Sequence, residues 1–236
     1  LSLGQIDNIM KNLLSVILLI SCFSVASAQQ TQTRTVGSFT GIKAAEGVNV
    51  YLKKGDKESL RVEATGTDLE NVVTEVSGSY LKVHMRDGRY RGNIDVKVYV
   101  TYVQLGKLSA SSAGSIYSEE AVKSSSLDIS ASSAGAIEVA IDAESVTASA
   151  SSAGELELTG KTKSLDVDAS SAGEIDAYNL DASKVQAEAS SGGSIKISVT
   201  TELNAHASSG GSIRFRGNPN KSVTDSSSGG SVKKSS

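Results

Sequence analysis

Residues 127–135 read LDISASSAG, 146–154 VTASASSAG, 165–173 LDVDASSAG, 185–193 VQAEASSGG and 203–211 LNAHASSGG. In each stretch every second residue is apolar or small, as in Leu127, Ile129 and Ala131 or Leu165, Val167 and Ala169. Polar residues such as Asp128, Ser130, Asp166 and Asp168 lie between them. A period of two marks a strand with one buried face. Each strand runs into a Ser-Ser-Ala-Gly or Ser-Ser-Gly-Gly tetrapeptide, and the chain carries seven: Ser111 to Gly114, Ser132 to Gly135, Ser151 to Gly154, Ser170 to Gly173, Ser190 to Gly193, Ser208 to Gly211 and Ser227 to Gly230. Their starts are 21, 19, 19, 20, 18 and 19 residues apart. A second alternation follows each of them, led by Ile116, Ile137, Leu156, Ile175, Ile195, Ile213 and Val232.

A fixed period near 19 residues with an apolar face on both sides of a corner predicts an all-β solenoid. One coil is a strand, a tetrapeptide corner, a second strand and a variable return. A single coil cannot bury its aliphatic positions. Stacked coils pair strand on strand about 4.8 Å apart, and seven make a rod roughly 30 Å long. Gly in the corner is expected to take backbone angles closed to other residues, and Ser to bond back to the local backbone. A flexible Ser/Gly stalk shares the composition, but gives no reason to keep aliphatic residues at fixed distances from every corner.

The remaining composition fits this architecture. Of 236 residues 39% are hydrophobic and 4% aromatic, with no Trp and one Pro, so the core is built from small and β-branched side chains. One Cys and two His exclude an internal disulfide framework and a cysteine-based zinc site. A net charge of −3 gives no reason to expect nucleic acid as a partner. No cofactor is expected.

Residues 10–28 read as a secretory signal peptide: Met10-Lys11-Asn12, an apolar run from Leu13 to Ile20, then Ala26-Ser27-Ala28 as the cleavage site. The run is too short for a membrane span, which needs about 20 apolar residues. Leu19-Ile20-Ser21-Cys22 resembles a lipobox, yet the Ala-Ser-Ala site is better formed, so cleavage after Ala28 is expected rather than acylation at Cys22. The product is an exported chain, in the periplasm, on the outer membrane surface or secreted.

Between Phe39 and Leu105 the tetrapeptide is absent, but alternating strands continue at Gly47–Leu52, Ser59–Ala64, Tyr80–Met85 and Ile94–Val100. Thr67–Asn71 reads as a helical turn or loop. Bulkier residues, among them Phe39, Tyr51, Tyr80, Tyr90, Tyr99 and Tyr102, gather in this section and suit a cap over one open end of the solenoid. The expected organisation is a signal peptide (10–28), a domain over 38–218 made of a strand region or cap (38–104) and coils (105–218), and a last partial coil with a polar tail (219–236).

Phe39-Thr40-Gly41-Ile42, then Gly47-Val48-Asn49-Val50-Tyr51-Leu52, then Val96-Lys97-Val98-Tyr99-Val100 leading into Ser-Ser-Ala-Gly coils, resembles the putative auto-transporter adhesin, head GIN domain family. The resemblance implies an exported protein of a Gram-negative envelope, a right-handed parallel β-helix-like fold, and no established catalytic residues.

Stacking turns equivalent positions into surface ladders. Glu138, Glu157 and Asp176 share one outward register, followed by Lys196 and Arg214; Glu155 and Glu174 are neighbours in a second. Carboxylates about 4.8 Å apart repel, so these five are candidate ligands for Ca²⁺ or another hard cation, against the plainer reading of a solvated charged face. Parallel β-helices include polysaccharide lyases and hydrolases, and Asp166 with Asp168, or Glu155 with Glu174, supply the carboxylate pairs such an enzyme would need. The regularity of the coils, with no break to form a cleft, argues instead for a non-catalytic, adhesin-like or structural binding protein. Its partner is then a protein or glycan surface, with a homo-oligomer possible. His84 and His206 read as isolated surface strand residues.

Overall fold

The computed structural model describes residues 29–90 and 92–235. The signal segment 10–28, its cleavage site and Cys22 lie outside the described residues. The protein is a β-solenoid of stacked coils of about 19 residues. The sixteen strands among the described residues join one continuous sheet that winds around the core. The first eight are β1 (Gln30–Arg34), β2 (Gly41–Ala44), β3 (Asn49–Lys54), β4 (Ser59–Thr65), β5 (Val72–Ser77), β6 (Tyr80–Met85), β7 (Asp95–Tyr102) and β8 (Lys107–Ala110). The rest are β9 (Ser115–Ser132), β10 (Ala136–Ser151), β11 (Glu155–Ala169), β12 (Glu174–Ala189), β13 (Ser194–Ala207), β14 (Ser212–Arg216), β15 (Lys221–Ser226) and β16 (Ser231–Lys234).

From β8 onward every pairing is parallel, each coil lying on the one before. The alternating residues form inner columns. One runs without interruption through Val98, Val50, Ile116, Ile137, Leu156, Ile175, Ile195, Ile213 and Val232. All but Val232 are buried. At about 1.5–3 kcal/mol per fully buried aliphatic side chain, this column and its partners on the opposite wall are the main source of stability. The return is less irregular than its variable sequence suggests. Strands of 14 to 18 residues run through it in β9 to β13, broken only by register shifts such as those at Val139/Ile141 and Glu157/Thr159. A bend that stays in the ladder keeps its backbone groups hydrogen-bonded, which a free loop around a core would not.

The corners also differ from expectation in mechanism. Positive φ falls on the second and third tetrapeptide residues, for instance Ser152 (50°) and Ala153 (59°), and only the last three corners place Gly third. Two consecutive left-handed residues and a hydrogen bond from the Gly154 N–H to the Ser151 carbonyl at 2.9 Å make each corner a type I′ turn. The final Gly has ordinary φ. It is required by space: a Cβ at Gly114, Gly135, Gly154, Gly173, Gly193, Gly211 or Gly230 lies less than 3.0 Å from the backbone of the preceding coil. Corner serines make no side-chain bond back to their own turn among the described residues. Their second members stand exposed, and the third residue's N–H reaches the next corner instead, as from Ala134 to the Ser152 carbonyl at 3.1 Å.

The N-terminal third caps the rod, and the coil path enters it as well. The β2–β3 segment is a coil in which Ala45-Glu46-Gly47-Val48 turns the corner, with positive φ at Glu46 (59°) and Gly47 (72°) and Ala44 and Asn49 in register with Ala110 and Ser115. A further coil, β6–β7, lies on its other side, although it follows in sequence. Antiparallel β5, β4 and β1 close that end. Thr67–Asn71 contains a single 3₁₀ turn, Leu69–Asn71. The half-buried Arg34 guanidinium ties β1 down through the carbonyls of Val72 (2.6 Å) and Leu69 (2.7 Å), and burial pulls its pKa below the usual arginine value.

Candidate functional site

The inserted order of the first coils gathers residues far apart in sequence. Tyr99 on β7, Tyr51 on β3 and Tyr117 on β9 occupy one outward register. Their rings stack in series: Tyr51 lies 5.2 Å from Tyr99 and 5.2 Å from Tyr117, with planes 21° and 22° apart. Tyr51 therefore carries a neighbouring ring on each side. The Arg61 guanidinium covers the outer side of Tyr99, 4.0 Å from its centroid, and pairs with Glu63. Burial pushes the Tyr51 phenol above its ordinary pKa, with the neighbouring rings and Asp95 adding to this and Lys97 opposing it. The three phenolic oxygens have no hydrogen-bond partner among the described residues.

This ladder forms one wall of a cleft of about 550 Å³. Thr33, Lys53, Ser59, Arg61, Thr101, Glu119 and Glu120 supply the remaining polar lining. A partly exposed aromatic wall facing hydroxyl, ammonium and carboxylate groups matches a ligand with alternating apolar and hydroxylated surfaces. By sequence Tyr51 and Tyr99 fall in the cap region and Tyr117 in the coils. Only the tertiary order puts the three in a row.

The same outward column continues from Tyr117 through the residues expected to form a charged ladder, Glu138, Glu157, Asp176, Lys196 and Arg214, and ends on Lys233. Glu155 and Glu174 lie beside it in register with Ser194 and Ser212. Lys196 is the counter-ion at the centre, with its Nζ 3.1 Å from both Glu174 and Asp176. Hydrogen bonds to those carboxylates, Asp176 first, hold the lysine above its ordinary pKa. Among the described residues no group of three or more His, Cys, Asp or Glu stands close enough to hold a metal ion.

On the opposite wall Asp168 stacks between Ser149 and Glu188, followed by His206 and Asp225. Partial burial raises the Asp168 pKa, reinforced by Glu188 and then Asp166. His206 Nδ1 lies 3.0 Å from Asp225, whereas His84 sits in the cap against the Met85 carbonyl at 2.8 Å. Asp166 stands in the adjacent column beside Gln186, on the same face of β11 as Asp168, while Glu155 and Glu174 are direct register partners on the other side of the corner.

These features define a class: a capped parallel β-solenoid with an aromatic cleft at the cap-to-coil junction and charged ladders along its length. The chain belongs to the family described as putative auto-transporter adhesin, head GIN domain, whose sequence model matches residues 38–219. A putative adhesin from Bacteroides fragilis is similar in structure, with a TM-score of 0.78, 20% identity, and 89% of this chain and 98% of that one covered. A structure from Parabacteroides distasonis described as a putative lipid binding protein superposes with a TM-score of 0.64 at 19% identity over the same shares. A putative adhesin from Parabacteroides merdae gives 0.69 at 14% identity, again with 89% and 98% covered. No curated protein matches the chain in sequence. No helix among the described residues is long and apolar enough to cross a membrane.

Proposed function

We propose that the protein is an exported, non-catalytic binding rod of the cell envelope that holds a glycan in the cleft beside Tyr99, Tyr51 and Tyr117. The tyrosine ladder carries this reading. Three stacked rings offer apolar contact to the C–H faces of successive sugars, while Lys53, Ser59, Thr101, Glu119 and Glu120 bond their hydroxyls. The coils beneath keep the ladder straight, because each ring stands on a strand paired on both sides. Adhesins are the named class for the family and for two of the structural neighbours, which supports binding rather than catalysis. The carbohydrate-active enzyme alternative receives no support from them. Export rests on the signal sequence at 10–28 and on the family.

Glycan-array screening followed by calorimetry tests the site. Wild-type protein is expected to retain a subset of glycans, and Tyr51→Ala to weaken binding by at least about tenfold, the loss of roughly 1.4 kcal/mol of ring contact. Binding that survives Tyr51→Ala and Tyr117→Ala together removes the cleft from the reading. Capture of no glycan at all removes the ligand class.

A further inference from the structure

The charged column beyond the tyrosines has a symmetry that a solvated surface does not require. In order of stacking it reads Glu138, Glu157, Asp176, then Lys196, Arg214, Lys233: three negative coils followed by three positive ones in a single register. The sign at each step is the opposite of the sign at the mirror-related step. The column is therefore complementary to its own reverse. We propose that this wall is a docking surface for a second copy of the chain, lying antiparallel across a two-fold axis perpendicular to the rod between Asp176 and Lys196.

Such an axis sets Asp176 against Lys196 of the second copy, Glu157 against Arg214 and Glu138 against Lys233, each pair occurring twice, as an isologous interface demands. The flanking columns agree. Glu155 faces Ser212 and Glu174 faces Ser194, so each extra carboxylate meets a hydroxyl donor. On the other flank Arg216, which is in register with Ser198, meets the Thr159 position. No two like charges oppose. Parallel packing of the same walls would set acid on acid and base on base, so charge also selects the orientation.

The outer members of the column are free to pair. Among the described residues Glu138, Glu157, Arg214 and Lys233 make no ion pair, and Glu138, Glu157, Arg214 and Lys233 are all exposed. At the centre Lys196 and Asp176 are already engaged with each other, and Lys196 also with Glu174. Six coils at about 4.8 Å and a leg about five residues wide at 3.3 Å each give roughly 500 Å² per copy. A stable interface buries about 800 Å² per partner, so the dimer is weak and its formation is governed by charge. It leaves both tyrosine clefts uncovered beyond the ends of the overlap, about 43 Å apart by strand count. Two weak sites on one dimer then bind a polymer together with the gain of bivalency.

Sedimentation velocity of the mature chain reads this directly. Wild-type protein is expected to dimerise reversibly at low ionic strength and to become monomeric at about 1 M salt, where the screening length falls to about 3 Å. The double variants E138K/E157K and R214E/K233E are each expected to weaken self-association at least about tenfold. Mixed in equal amounts they are expected to form a heterodimer, because every opposed pair is then of opposite sign. These side chains are exposed, so both variants are expected to keep the wild-type circular dichroism and melting temperature. A wild-type monomer at low salt overturns the proposal, as does a dimer indifferent to either variant. Variants that remain monomeric when mixed overturn the register. Glycan binding by the monomeric variants separates this outcome from the fate of the cleft.

Discussion

The coil β2–β3 and the coils from β9 to β13 follow one path with two sequences. In the repeats the corner is Ser-Ser-Ala-Gly or Ser-Ser-Gly-Gly; at Ala45–Val48 it is Ala-Glu-Gly-Val. Both place two left-handed residues at the turn. They differ at the fourth position, where Gly114 and its equivalents are pressed onto the preceding coil's corner and Val48 is fully buried with a side chain. Beneath Val48 the chain does not turn tightly. β6 runs on to Met85 and returns only at Asp95, which widens that corner. Glycine is therefore demanded by a tight corner directly below and not by the turn itself.

Three experiments break or sharpen this comparison. The largest effect is expected in the repeats' own inner column, Leu127, Val146, Leu165, Val185 and Leu203. Leu165→Asp sets a carboxylate in a position that is 1% exposed, and a loss of at least about 5 kcal/mol is expected, enough to unfold neighbouring coils. Unchanged β signal in circular dichroism would count against a continuous apolar interior.

The corner glycines come next. Gly154→Ala adds a methyl against the backbone of Ala131 and is expected to cost about 3 kcal/mol by overpacking. Gly47→Ala has open space around the new methyl and only its positive φ to oppose it, at about 1–2 kcal/mol. Urea denaturation of both variants compares them, and equal losses would mean that φ alone decides the corner.

The smallest effect is a pH dependence confined to the repeats. Asp168 replaces the serines of earlier coils, Ser130 and Ser149, and its folded pKa is raised by burial, Glu188 and Asp166. A raised carboxylate pKa means the folded state binds the proton more tightly than the unfolded one. Its stabilising effect is complete below the ordinary aspartate range and disappears as pH rises through the raised value. Asp168→Asn is accordingly expected to raise the melting temperature at pH 7, with the advantage over wild type vanishing on acidification toward pH 4. A constant difference across that range would show that the shift belongs to another group.

Much of the fold was legible because period-two patterning and a 19-residue spacing are local properties repeated many times. Ile137, Leu156 and Ile175 announce one wall, and Leu127, Val146 and Leu165 the other. The ladder order of Glu138, Glu157, Asp176, Lys196 and Arg214 follows from the same spacing, since in-register parallel stacking makes sequence offset equal to position along the rod. The β2–β3 coil was illegible because its corner lacks the serine pair and carries Val48 where every repeat corner ends in glycine. The tyrosine cleft was illegible for a different reason. Tyr51, Tyr99 and Tyr117 have no common spacing, and their chain order differs from their spatial order.

By itself the sequence determined the coil, its length, its two apolar walls and the order of charge along its surface. Each is set by residues close in the chain or by a constant repeat, so backbone geometry and burial leave one solution. Tertiary structure alone decided that β6–β7 threads beneath β2–β3 while β8–β9 lies above. That choice depends on which strand edges remain unpaired once the coils have formed, a contest between distant segments that no local pattern records. The tyrosine ladder, and with it the proposed binding site, is its product.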